Sequence, residues 1–146
     1  HAYAQGTGGP DNFDIKDCST QRNINKKGKI QATKIGLFFT KHKIPISKVI
    51  SSEWCRCKDT ASIAFLDDYE TKSFLNSFYS EKFFKNKKKQ IKELKEYVNN
   101  WNGKKNLIFV THYVVISEVL DTHTSSGEIV ISDKNYNIIE SLITKY

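Results

Sequence analysis

The sequence has no methionine, only two prolines and three cysteines, and nearly all of its 23 basic residues are lysine. No apolar run exceeds four or five residues, "LIFV" at 107–110 being typical, so no stretch is long enough for a membrane-spanning helix. Three cysteines cannot all pair. Cys18 with Cys55 or Cys57 would suit an oxidising compartment, and three thiols a reducing one. Cys55-Arg56-Cys57 lacks the Cys-x-x-Cys knuckle and the fourth ligand of a zinc site, so no metal is expected. There is no internal repeat. The opening, "HAYAQGTGGPDNFD", has neither Met nor an apolar leader and reads as the middle of a longer chain.

What is present suits one α/β domain over residues 1–146. Hydrophobic residues make up 38% and aromatics 12%, enough for a core and against disorder. The net charge of +7 admits anionic partners. Much of it lies in "KFFKNKKKQIKELK" at 82–95, most simply a solvated helix face. A nucleic-acid groove would interleave aromatics and arginines, and this stretch does not, so nucleic acid is not expected.

Residues 2–20 read as a loop. Asn25 should cap a helix over 26–42, with Ala32, Ile35, Phe38 and Phe39 inward. "KVISS" at 48–52 reads as a strand, and 54–65 as a helix with Trp54, Ala61, Ala64 and Phe65 inward. "DDYETKSFLNSFYS" is ambiguous, a loop with a helical turn. A longer amphipathic helix over 84–101 buries Ile91, Leu94, Val98 and Trp101 and stops at Gly103. "NLIFVTH" reads as a buried parallel strand followed by a short helix, and "EIVIS" and "NYNIIESLIT" as two strands joined around Asp133–Asn135. Helices alternating with apolar strands predict a three-layer sandwich with a mostly parallel central sheet.

In such a sheet, ligands bind beyond the carboxyl ends of the strands. "KVISS" leads to Arg56 at a helix start, and "NLIFVTH" leads to His112. A guanidinium beside free helix N–H groups is a phosphate site in outline. Arg22, in a polar loop before the first helix, is a third candidate. Singly, each has a plainer reading: a surface ion pair of Arg56 with Asp59, a solvated Arg22, a hydrogen-bonded His112 at a strand end.

"HAYA", "DCSTQRNINKKGKIQATKIG" at 17–36, "KVISSEWCRCKDTASIAF" at 48–65, "LNSFY" at 75–79, "IFVTHYVVIS" at 108–117 and "SGEIVI" at 126–131 occur in order across nearly the whole chain. Together they resemble the histidine phosphatase (phosphoglycerate-mutase-like) superfamily, most closely its small bacterial single-domain phosphatases. The resemblance implies a metal-independent phosphomonoesterase without cofactor. His1 would be the nucleophile, forming a phosphohistidine. Arg56 and His112 would hold and stabilise the phosphoryl group, and Arg22 would be a further phosphate ligand. It also implies an Arg and a central strand ahead of His1. The proton donor is open among Glu128, Asp67, Asp68 and Glu70, or absent. The substrate would be a phosphorylated small molecule, a sugar phosphate among the options, or a phosphoprotein. Relatives with "CSTQRN" and "WCRC" commonly look exported, so the periplasm is expected, with the cytoplasm as alternative. The competing function is a phosphate-binding module of the same fold without turnover. A mutase would need insertions for which the chain lacks room.

Overall fold

A computed structural model describes residues 1–146. Asn25 accepts from the Gly28 N–H at 3.0 Å and opens α1 (Lys26–Lys41). Strand β1 (Ile46–Ser51) follows and runs into α2 (Cys55–Phe65), with Trp54 as N-cap. Next come a two-residue strand β2 (Glu70–Thr71) and a short turn of 3-10 helix (Ser73–Leu75). The helices α3 (Glu81–Phe84) and α4 (Lys87–Asn100) lead to β3 (Asn106–Val110) and α5 (Tyr113–Leu120). The strands β4 (Ile129–Ser132) and β5 (Ile138–Leu142) end the chain as an antiparallel hairpin. No helix is long and apolar enough to cross a membrane.

Strands β2, β1 and β3 lie side by side, all parallel. Alternation along β1 sorts its side chains between two layers. Val49 packs with Cys57, Ala61 and Val110 under α2. Ile50, one residue on, packs with Leu94, Val98 and Val115 of α4 and α5. This is the expected three-layer arrangement. The layers close tightly at two glycines: a Cβ on Gly36 of α1 would meet the Ala64 carbonyl oxygen of α2 at 2.5 Å, and one on Gly28 would meet that of Tyr3 at 2.1 Å. Small residues thus let α1 lie directly on α2 and on residues 1–4, where Ala2, Ala4, Ile24 and Ala32 form a second core.

Strand β1 runs from Ile46 to Ser51 against the 48–52 read from sequence, β5 is confined to Ile138–Leu142, and two larger departures have a physical cause. The helix expected from residue 84 begins at 87, because 81–84 make a separate turn whose Phe83 faces Trp54 and Phe13. Strand β2 was hidden by its two exposed residues, which bear no apolar signature.

The sheet has an open edge at β3, and the β4–β5 hairpin has one at β4. An apolar cleft of about 300 Å³ separates them, walled by Ile35, Phe39, Ile108, Val110, Ile129 and Ile131. His1 bridges its upper end, its N–H donating to Thr111 O at 2.8 Å and its carbonyl accepting from Gly127 N at 2.9 Å.

The Cys-x-Cys motif resolves into two different cysteines. Cys55 is bonded to Cys18, and Cys57 is a buried free thiol that its burial holds above the ordinary thiol range. The bridge ties the 5–25 loop to the first residue of α2. Closing a span of 37 residues should contribute about 3–4 kcal/mol. Protein purified without reductant should therefore titrate a single thiol once unfolded. Reduction should lower the urea-unfolding free energy by about that amount; three titratable thiols, or no change on reduction, would contradict the bridge.

Candidate active site

Because β1 and β3 are parallel neighbours, their carboxyl ends finish side by side, and Ser52 N donates to Val110 O at 2.9 Å. From these ends start α2, bearing Arg56 on its first turn, and α5, whose N-cap is His112. Residues 1–4 are pinned beside them. Ala2 N donates to Thr60 Oγ1 at 3.0 Å, and Tyr3 N to Gln31 Oε1 at 2.8 Å. Thr60 Oγ1 donates in turn to Arg56 O at 2.7 Å, so the His1 segment is registered against the turn that holds Arg56.

The polar contacts fix the state of both imidazoles. Arg56 Nε donates to His1 Nε2 at 3.0 Å. A guanidinium only donates, so Nε2 is the bare nitrogen, and the proton sits on Nδ1, 2.8 Å from the Ala2 carbonyl oxygen that accepts it. Arg56 Nη2 lies 3.5 Å from His112 Nδ1, which makes that nitrogen the acceptor as well. His112 Nε2 then donates to Ser52 Oγ at 2.9 Å. Ser52 passes the polarity on, donating to Asn76 Oδ1 at 3.1 Å and accepting from Trp54 N at 3.1 Å. The two histidine rings meet edge to face with centroids 5.3 Å apart. Trp54 supports both partners, with the Arg56 guanidinium 4.7 Å over its ring and His112 edge-on at 4.9 Å.

Arg56 is 6% exposed and forms no ion pair; the molecule's ion pairs are lysine–glutamate contacts nearer the surface. The expected alternative, a pair with Asp59, is not formed. Burial, reinforced by the charge of Arg22, pulls the Arg56 pKa down to about 10, so it remains a cation at neutral pH. His112 is driven well below the ordinary histidine value, first by burial and then by the Arg56 charge, and stands neutral.

Arg22 sits at the rim. Its Nε donates to Gly8 O at 2.7 Å and its Nη1 to Ala4 O, so the loop holds it in place. Gln21 anchors that loop, its Oε1 accepting from Cys55 N at 2.9 Å and its Nε2 donating to Asp14 O at 3.0 Å. The structure thus brings together His1, Arg56 and His112 and leaves Arg22 beside them.

The four candidate carboxylates are placed otherwise. Asp67 accepts from Ser62 at the far end of α2, Asp68 follows it, and Glu70 of β2 pairs with Lys48 of β1. Glu128 neighbours the Gly127–His1 bond, but its two oxygens accept from Ser125 N and Ser141 Oγ. Sequence reasoning missed Ser52 and Asn76. "KVISS" and "LNSFY" contain them, yet nothing in either string says that the two side chains meet behind a histidine sixty residues from one of them.

The state of His112 has a consequence for stability. The unfolded chain takes up a proton below about pH 6.5, whereas the folded site resists it, so stability falls as pH drops through that value. The slope from this group should approach about 1.4 kcal/mol per pH unit. Denaturant titrations between pH 7.5 and 5.5 should show that limb in the wild type, and His112→Asn should flatten it.

No protein-family model matches the chain, and no curated protein matches it. Solved structures do. The SixA protein of Agrobacterium tumefaciens, a proposed phosphohistidine phosphatase, superposes with a TM-score of 0.62 at 16% identity, covering 98% of this chain and 93% of that one. The protein histidine phosphatase SixA complexed with tungstate gives 0.59 at 15% identity, covering 97% and 92%. A phosphoglycerate mutase from Thermus thermophilus gives 0.57 at 16% identity, covering 84% and 85%. The chain shares the fold of these SixA and phosphoglycerate mutase structures.

Proposed function

We propose that the protein is a phosphomonoesterase working through a phosphohistidine on His1. The observation behind this is the unpaired, buried Arg56 cation between two neutral imidazoles. A buried charge without a counter-ion is costly, and an incoming phosphate dianion would supply the counter-ion. His1 Nε2 is bare, as a nucleophile must be, and its tautomer is set by the Ala2 carbonyl. In the free site the Arg56 Nε–H caps that lone pair, so substrate binding must draw the guanidinium onto the phosphoryl oxygens and release Nε2 for attack. His112 Nδ1, now an acceptor, gains a proton beside the dianion and donates to it. Arg22 closes the rim with its remaining N–H groups. Phosphoryl transfer needs this positioning and charge stabilisation, and no metal is required for it.

A phosphate-binding module without turnover is the second reading, and the Arg56 cap on His1 Nε2 is what favours it. The two separate in one assay. Hydrolysis of p-nitrophenyl phosphate in excess chelator should occur in the wild type and yield to tungstate. It should vanish in His1→Ala and fall about 10²–10³-fold or more in Arg56→Ala. Phosphate binding without turnover would select the module, and near wild-type turnover by Arg56→Ala would overturn the site assignment.

We also propose export to an oxidising compartment such as the periplasm. The Cys18–Cys55 bridge supports this, since such bonds persist chiefly outside the reducing cytosol. Free thiols at all three cysteines in protein trapped by alkylation in its native cells would refute it.

A further inference from the structure

Cleavage of an unactivated phosphate ester leaves an alkoxide that must be protonated, and His1, Arg56 and His112 offer no acid placed for it. His112 Nδ1, once protonated beside the dianion, donates to the phosphoryl oxygens and not to the leaving oxygen, its Nε2 is held by Ser52, and the arginines stay charged. The carboxylate joined to this network is that of Glu53, between Ser52 and the Trp54 N-cap, three residues before Arg56. Its backbone N–H donates to Asn76 Oδ1 at 2.9 Å, and Asn76 Nδ2 donates back to Glu53 Oε1 at 2.9 Å. The same Asn76 Oδ1 accepts from Ser52 Oγ, which holds His112. One Glu53 oxygen is therefore fixed to the framework that sets His112, while Oε2 accepts no hydrogen bond. The side chain is half-buried, in the segment between the end of β1 and the start of α2, at the same carboxyl end of the sheet that bears Arg56 and His112.

Resting on the phosphomonoesterase reading, we propose that Glu53 is the general acid and base of the reaction. In the first step, His1 Nε2 bonds to phosphorus as the P–O bond to the leaving group breaks. The electron pair of that bond stays on the leaving oxygen, which takes the proton from the Glu53 carboxylic acid and departs as an alcohol. In the second step, water attacks phosphorus and the N–P bond breaks. Its electron pair returns to His1, the water's proton goes to the Glu53 carboxylate, and inorganic phosphate is released. Both groups end as they began. Asn76 is the positioning residue: it holds Oε1 and so directs Oε2.

The test compares two esters in Glu53→Gln. Glutamine keeps the oxygen that accepts from Asn76 but cannot deliver the proton. The p-nitrophenolate anion leaves unaided, whereas the alkoxide of β-glycerol phosphate does not. Glu53→Gln should therefore lower kcat/KM, which reports the ester-cleaving step alone, about 10²–10⁴-fold more on β-glycerol phosphate than on p-nitrophenyl phosphate. Glu53→Asp should restore part of that difference. Equal losses of kcat/KM on both esters, or no loss on either, would overturn the role of Glu53 while wild-type turnover upheld the phosphatase. A wild type that hydrolyses neither ester would overturn both.

Discussion

A single contact orders this site, the 3.0 Å hydrogen bond from Arg56 Nε to His1 Nε2. It is possible only because Arg56 is buried without a carboxylate. An acidic partner would have neutralised the guanidinium and left nothing for an anion to bind. Here the charge is stabilised by an aromatic face, a backbone oxygen and an imidazole lone pair, all weaker than an ion pair. Burial and the same charge keep His112 neutral.

The surrounding structure serves to keep that arrangement in register. Two parallel strands end together, so two helices begin together, and each sets one functional side chain at its first turn. The disulfide and Gln21 fasten the Arg22 loop to the start of α2. Glycine at 28 lets residues 1–4 lie against α1 closely enough for Ala2 and Tyr3 to reach Thr60 and Gln31. Behind the histidines, Ser52 and Asn76 convert the positions of two strand ends into one hydrogen-bonded chain that terminates at Glu53.

Much of the fold was legible because burial imposes a period. The apolar run before His112 and the stripe of Ile91, Leu94 and Val98 announce a strand and a helix by themselves, and Asn25 announces a cap. Short or exposed elements escaped. Strand β2 has no buried side chain, and the break at 85–86 arises from Phe83 reaching across to Trp54, a contact between residues 29 apart in sequence. The carboxylates weighed from sequence stand elsewhere for a similar reason: Asp67 follows Arg56 closely along the chain, yet a helix of 11 residues carries it to the opposite end of the sheet.

The sequence by itself determined the fold class and marked Arg56 and His112 as candidates, because the alternation of apolar runs and the polar residues at their ends are local properties of the chain. Tertiary structure alone decided the rest. Cys18 had two possible partners, and only the fold brings Cys55 to it and buries Cys57. Tautomers depend on which atoms face which ring nitrogens, and those atoms come from Ala2, Ser52 and Arg56. The neutrality of His112 and the lone charge of Arg56 come from exclusion of water, a property of the packed molecule that no string of residues displays.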